Sequence, residues 1–236
     1  MPLSVALEYA EDSRPEILCL HRSVAGRVDL RAELRGDSDT ILPLMRYSAR
    51  YGALVVAAVR AAVDGGEFNS AIVIDKGKVL GVSDQMFPQK GLQNGACMRC
   101  YRTSAGLMGL IVSDDIRRPQ LWHALSKAKS DFVFAFDEKV FDETRDNAFL
   151  QSMSYCCGLT VYAHFCDLSH RYNCFGKCDD TEYGLSRRMT FVTHKKTSCF
   201  FSDTIKVYVE KPEQGIKKAP EGAFFPRSVI ERRIRF

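Results

Sequence analysis

Apolar residues occur along this chain in runs whose spacing predicts alternating helices and strands. Residues 40–51 follow helical spacing, and Gly52 ends that run. Residues 53–59 are continuously apolar, which is typical of a buried strand. Residues 70–82 form two β-rich runs around a turn that contains Gly77, which indicates a hairpin.

The pattern continues through the middle of the chain. Residues 86–103 lack periodicity and are rich in Gly, Pro and Cys, and the apolar run 107–112 follows them. A helix is predicted at 118–129, with Pro119 in its first turn, and another at 143–156. Apolar runs at 131–136 and 159–165 predict two more buried strands.

The C-terminal third has a weaker pattern. It predicts a loop at 166–188, strands at 189–193 and 204–209 with a solvated turn between them at 194–199, and an irregular tail from about residue 210. Because helices and strands alternate without an internal linker, we predict one α/β layered domain over residues 1–236.

Composition narrows the class of protein. With 46% hydrophobic and 26% charged residues and a net charge of +4, the chain is typical of a globular protein with a substantial core. No apolar run approaches the roughly 18 residues of a membrane span. The first residues do not resemble a secretory signal, so we expect a cytoplasmic protein. Basic and aromatic residues are not interleaved, so no nucleic-acid partner is expected.

Four segments carry a resemblance to a known family. The segment 109–120, GLIVSDDIRRPQ, resembles the nucleophile segment of the nitrilase (carbon-nitrogen hydrolase) superfamily, where a buried strand ends in Cys-x-Asp-x-Arg-Phe-Pro-Glu. The segments NSAIVIDKGKVLGV, KSDFVFAFD and RDNAFLQSMSYCCGLTVYAHF resemble the elements around it. The resemblance implies a four-layer α-β-β-α sandwich. It also implies a shortened N-terminus, because fifteen residues before Glu16 cannot hold the family's first strand and long first helix.

The family's catalytic triad does not carry over to the matching positions. Its chemistry uses a cysteine nucleophile, a glutamate base and a lysine that stabilises the oxyanion. The matching positions hold Ser113, Arg22 and Gln85. A guanidinium cannot act as a base at neutral pH, and a serine hydroxyl needs a strong base beside it. The resemblance therefore predicts a degenerate member, a pseudoenzyme that acts by binding or assembly.

Three alternatives stay open at this point. One is an active amide hydrolase with relocated groups. Its nucleophile would be Ser113, with His21, His123, Asp114 or Asp115 beside it, or a cysteine of the preceding loop such as Cys97 or Cys100. Asp114, Asp115 and Arg117 are the predicted substrate-binding residues. Another is a sensor in which Arg22 binds a small carboxylate. The last is a structural zinc site on two cysteine pairs, Cys97 with Cys100 and Cys174 with Cys178, although no cofactor is the simpler expectation.

The resemblance also implies a homo-oligomer, since family members associate through helices near the active site. The predicted helix 143–156 is the expected surface. It presents large apolar residues with few charges in its second half, namely Phe149, Leu150, Met153 and Tyr155.

Overall fold

The computed structural model describes residues 2–166, 169–177, 189–192 and 197–200, the last two segments as backbone only. The helices are α1 (Leu3–Ser13), α2 (Arg22–Ala25), α3 (Leu30–Arg35), α4 (Ile41–Tyr51), α5 (Pro119–Lys127) and α6 (Arg145–Cys157). A 3₁₀ helix spans Ser113–Arg117. The strands are β1 (Ile17–Leu20), β2 (Arg27–Asp29), β3 (Leu54–Val63), β4 (Gly66–Asp75), β5 (Lys78–Asp84), β6 (Cys100–Thr103), β7 (Gly106–Val112), β8 (Phe132–Phe136), β9 (Thr160–His164), β10 (Ser169–Tyr172), β11 (Met189–Val192) and β12 (Thr197–Phe200).

The strands form two sheets. The first has the order β12-β11-β1-β3-β4-β5, with β2 also paired to β3, and the second has the order β10-β9-β8-β7-β6. Parallel strands occupy the centre of each: β1 lies between β3 and β11, and β8 lies between β7 and β9. Such strands are buried on both faces, which explains their continuous apolar runs.

Side chains alternate between two cores on either side of the first sheet. In β1, Leu18 and Leu20 pack with the helices on the outer face, whereas Ile17 and Cys19 pack against the second sheet. A third core joins the other face of the second sheet to α5 and α6, with Trp122 at its centre. The layers are therefore α-β-β-α, and the predicted fold is confirmed.

Three short strands lie where the sequence predicted irregular structure. β6 lies inside the predicted irregular segment 86–103, β10 inside the predicted loop 166–188, and β12 overlaps the predicted turn 194–199. Each has four residues and pairs with a neighbouring strand at a sheet edge, so pairing rather than an apolar pattern defines it. The strand predicted at 204–209 and the tail from about 210 lie outside the described residues.

The described part of the chain begins with a helix. α1 covers Leu3–Ser13, and no strand precedes it within the residues that the structure describes. No helix of the described segments is both long and apolar enough to cross a membrane.

Candidate functional site

A sharp turn follows β7. Ser113 is buried and has a φ of 58°, a left-handed conformation that non-glycine residues rarely adopt. It begins the 3₁₀ helix that leads into α5 through Pro119. Strained backbone of this kind costs on the order of 1–3 kcal/mol and is concentrated at functional sites. The turn therefore marks this strand end as the place to look for a site.

A small cavity lies beside Ser113, between the ends of the two sheets. Its walls include Arg22, Asn69, Ser113, Asp137 and Glu138. Its volume of about 10 Å³ is near the lower limit for one water molecule. The cavity thus has no room for an amide substrate.

Arg22 lines this cavity and is paired within it. Its Nη1 donates to Asn69 Oδ1 at 3.1 Å and forms an ion pair with the Glu138 carboxylate. Burial raises the pKa of the Glu138 carboxyl, although the guanidinium groups of Arg22 and Arg60 oppose that rise. The result is a paired charge cluster inside the site.

Gln85 belongs to the same polar chain. Its Oε1 accepts from Asn69 Nδ2 at 2.8 Å, and its Nε2 donates to the carbonyl oxygen of Phe87 at 3.3 Å. Hydrogen bonds therefore run from Arg22 through Asn69 to Gln85. Arg22 and Ser113 line one cavity, and Gln85 is held next to it, so the structure brings the three predicted positions together.

Neither histidine is placed to activate Ser113. Both ring nitrogens of His21 are engaged, Nε2 with the Asp137 carbonyl oxygen at 3.1 Å and Nδ1 with the Ser23 backbone N–H at 3.2 Å. His123 lies on the exposed side of α5 and contacts the Cys157 thiol. Within the described part of the chain, the Ser113 hydroxyl has no hydrogen-bond partner.

Arg117 is the centre of an ion-pair cluster below the turn. Its guanidinium contacts Asp137 at 2.6 Å, both carboxylate oxygens of Asp146 at 3.0 Å, and Asp114 at 3.3 Å. Asp114 also pairs with Lys139. Two of the predicted substrate-binding residues therefore make internal contacts, and their role in binding stays a prediction.

Asp115 joins two loops. Its carboxylate accepts the backbone N–H groups of Met86 at 2.5 Å and Phe87 at 3.1 Å. Burial raises the pKa of Asp115, although these hydrogen bonds act in the opposite direction. This carboxylate anchors the loop after β5 to the turn after β7, and its predicted contact with substrate also stays a prediction.

Three of the four predicted zinc ligands lie in the described residues. Cys100 lies in β6 beside the Ser130 hydroxyl, with 3.3 Å between sulfur and oxygen, whereas Cys97 precedes that strand and Cys174 follows β10. Cys178 lies outside the described residues. Across the segments that the structure describes, no three His, Cys, Asp or Glu side chains are grouped as metal ligands. The zinc site stays a prediction.

Sequence reasoning missed Asn69, Asp137, Glu138 and Asp146. A signal was present for two of them, because Asp137 and Glu138 directly follow the buried strand β8, as Ser113 and Asp114 follow β7. Polar residues at the ends of adjacent parallel strands meet at one sheet edge. Asn69 lies inside β4, where nothing in the local pattern distinguishes it from a solvent-facing residue.

No protein-family model matches the sequence, and no curated protein is significantly similar to it. Solved structures do resemble the fold. A carbon-nitrogen hydrolase from Helicobacter pylori G27 has a TM-score of 0.59 at 13% identity, covering 75% of each chain. A nitrilase-superfamily branch 10 member from Saccharomyces cerevisiae has a TM-score of 0.63 at 12% identity, covering 75% of this chain and 77% of its own.

A CN-hydrolase superfamily protein from Xanthomonas campestris, which has an arsenic adduct in its active site, has a TM-score of 0.62 at 13% identity and covers 84% of each chain. At such low identity these likenesses establish architecture alone. The chain has the fold of nitrilase-superfamily structures.

Proposed function

We propose that this chain is a non-hydrolytic nitrilase-fold protein that acts by binding or assembly. The observation that supports this most directly is the ion pair of Arg22 with Glu138, which occupies the cavity beside Ser113. A cavity of about 10 Å³ has room for at most one water molecule and none for an amide.

The chemistry of the residues present supports the same proposal. The Arg22 guanidinium cannot act as a base at neutral pH. The Glu138 carboxylate is paired with Arg22 and makes no hydrogen bond with the Ser113 hydroxyl in the described part of the chain. A serine without a base within hydrogen-bond reach is a weak nucleophile. Because Arg22 and Glu138 are both partly buried, their pairing compensates two charges that would be costly alone.

The test compares the wild-type chain with Ser113→Ala on a panel of short aliphatic amides. We expect both proteins to release ammonia no faster than buffer. Ser152→Ala, on the exposed side of α6, is the matched control. Saturable turnover that Ser113→Ala abolishes and Ser152→Ala retains would refute the proposal.

One observation favours a second candidate, an amide hydrolase with relocated groups. Ser113 adopts a left-handed conformation after a buried strand, as nucleophiles on strand-to-helix turns do, and Glu138 lies in the same cavity with a raised pKa caused by burial. If Arg22 moved aside, this carboxylate would be the available base. Turnover lost in Glu138→Gln and kept in Glu143→Gln, an exposed glutamate, would favour this candidate.

Assembly through α6 is the binding mode we propose. Three of the four residues predicted for this surface face the core instead, because Leu150 is buried and Phe149 and Met153 pack against it. Tyr155 remains 67% exposed, and Phe175, on the loop after β10, is 72% exposed. That loop packs on α6, because a Cβ built at Gly176 would lie 3.1 Å from Tyr155 Cβ.

Two large exposed apolar side chains on adjoining elements suit the centre of an interface between two copies. Sedimentation of wild type is expected to give at least a dimer, and Tyr155→Glu combined with Phe175→Glu is expected to give monomer. Phe87→Glu, at an exposed phenylalanine elsewhere, should leave the assembly unchanged. A wild-type monomer at micromolar concentration would contradict assembly through α6. It would leave the proposal that the chain is non-hydrolytic untouched.

A further inference from the structure

A second, larger cavity lies on the helix-covered face of the first sheet, away from Ser113. It is bounded by α3, α4 and β5 and has a volume of about 170 Å³. Its apolar walls include Leu30, Leu34, Leu42, Met45, Val79 and Val82. The first sheet separates it from the core in which the two sheets meet.

The size of this cavity suits one small ring. An apolar protein cavity of about 150 Å³ is large enough to bind benzene, so the present one accommodates a fragment of similar size. The cavity near Ser113 is more than tenfold smaller (about 10 Å³ against about 170 Å³). Of the two, this is the cavity that can hold a ligand without rearrangement.

The charged groups of the walls have one sign. Glu33 and Asp39 line the cavity, and no basic side chain of the described segments does. The Glu33 carboxylate is fixed, because it accepts the Ser38 hydroxyl at 2.6 Å and the backbone N–H groups of Thr40 and Ile41 at 2.7 and 3.1 Å. These bonds use three of its roughly four acceptor positions and cap the start of α4. Asp39 is exposed beside it.

We propose that this cavity binds a small hydrophobic ammonium compound, with the ring against the apolar walls and the cationic group near Asp39 and Glu33. The apolar walls favour an apolar ring, and the two carboxylates favour a cationic group on the same ligand. An anionic ligand of the same size would be repelled. The proposal is independent of whether Ser113 is catalytic.

The probe is benzylamine, with benzyl alcohol as the neutral comparison. Binding is followed by the methyl resonances of Met45 and Val82 in the full chain. A fragment of about eight non-hydrogen atoms is expected to bind with a dissociation constant on the order of 1 mM. Since Asp39 is exposed and an exposed ion pair contributes up to about 1 kcal/mol, benzylamine should bind up to about fivefold more tightly than benzyl alcohol.

Two variants test the two parts of the proposal. Asp39→Asn should weaken benzylamine several-fold and leave benzyl alcohol unchanged, whereas Asp37→Asn, at an exposed aspartate that pairs with Arg35, should change neither. Leu42→Trp should fill the cavity and abolish binding of both probes while circular dichroism remains that of wild type. Absence of saturation at about 10 mM benzylamine, equal affinity for the two probes, or unchanged binding to a folded Leu42→Trp variant would each overturn the proposal.

Discussion

Replacing Arg117 by methionine should destabilise the protein more than any other single charge removal near the turn. The Arg117 side chain is 24% exposed, and its guanidinium contacts Asp137, Asp146 and Asp114. The Asp137 side chain is fully buried and would lose its cationic partner inside the protein. The Asp146 side chain is 4% exposed and would keep only the more exposed Arg145. Methionine retains the aliphatic stem, which limits the loss of packing.

The expected cost is about 3–5 kcal/mol, the usual penalty for breaking a buried ion pair from one side. Against a typical total stability of about 5–15 kcal/mol, this is a large share. Arg145→Met is the matched control, because Arg145 contacts the same Asp146 carboxylate at 3.2 Å but is 62% exposed. An exposed pair contributes about 0–1 kcal/mol, so the control should unfold close to wild type.

Urea unfolding followed by tryptophan fluorescence measures both variants. Trp122 is the single tryptophan of the chain, is fully buried, and donates its indole N–H to the Ile116 carbonyl oxygen, so its emission reports on the turn and on α5. Far-ultraviolet circular dichroism must give the same midpoint for a two-state free energy to apply. Equal costs of under about 1 kcal/mol for the two variants would refute the burial argument.

A double variant identifies the origin of the cost. If unpaired charge is responsible, adding Asp137→Asn to Arg117→Met should recover more than about 1 kcal/mol, because the buried carboxylate is then neutral. If lost packing is responsible, the two costs should add instead.

Three further changes follow from the same region. Ser113→Gly should raise the free energy of unfolding by about 0.5–1 kcal/mol in urea, since glycine relieves the left-handed strain, and Ser113→Ala should not stabilise. For Asp146, burial raises the carboxyl pKa, but hydrogen bonds and neighbouring guanidinium groups more than offset this and leave the pKa below its ordinary value. Because a depressed pKa contributes stability above the unfolded value of about 4, stability should fall as pH drops below about 4, and Asp146→Asn should reduce that slope in urea titrations at stepped pH. Gly109→Ala should cost about 1–3 kcal/mol by thermal unfolding, because its Cβ would lie 2.8 Å from Leu125 Cδ2 in a filled core. A cost near zero would show that Leu125 can move.

The layers of this fold could be predicted because parallel central strands need apolar side chains on both faces. The run 107–112 and the strand 131–136 satisfy that need, and the structure places them as neighbours, β7 and β8. Helix α4 was predictable for a different reason, since Gly52 ends it in the left-handed conformation that glycine favours. In both cases the residues that favour the local conformation are also the ones that the packing of the fold requires.

The edge strands could not be predicted, because they are defined by a partner rather than by a pattern. β10 has four residues, Ser169–Tyr172, of which only Tyr172 is buried. Its hydrogen bonds run antiparallel to β9, and without that neighbour the segment has no apolar alternation. Short edge strands with polar residues also avoid pairing with other chains, so the weak pattern is itself a consequence of their position.

The pairing of charges in the site could not be predicted from the sequence either. Arg22 alone suggests a carboxylate-binding pocket, and Glu138 alone suggests a base, so each has a functional interpretation when the other is ignored. They follow β1 and β8, which belong to different sheets and are distant in sequence. Only when the two sheets pack do the charges meet, and each then satisfies the other at a depth where either alone would be costly. Substituting one of them should therefore destabilise the site more than substituting both, and urea unfolding of Arg22→Met, Glu138→Gln and the double variant measures that difference directly.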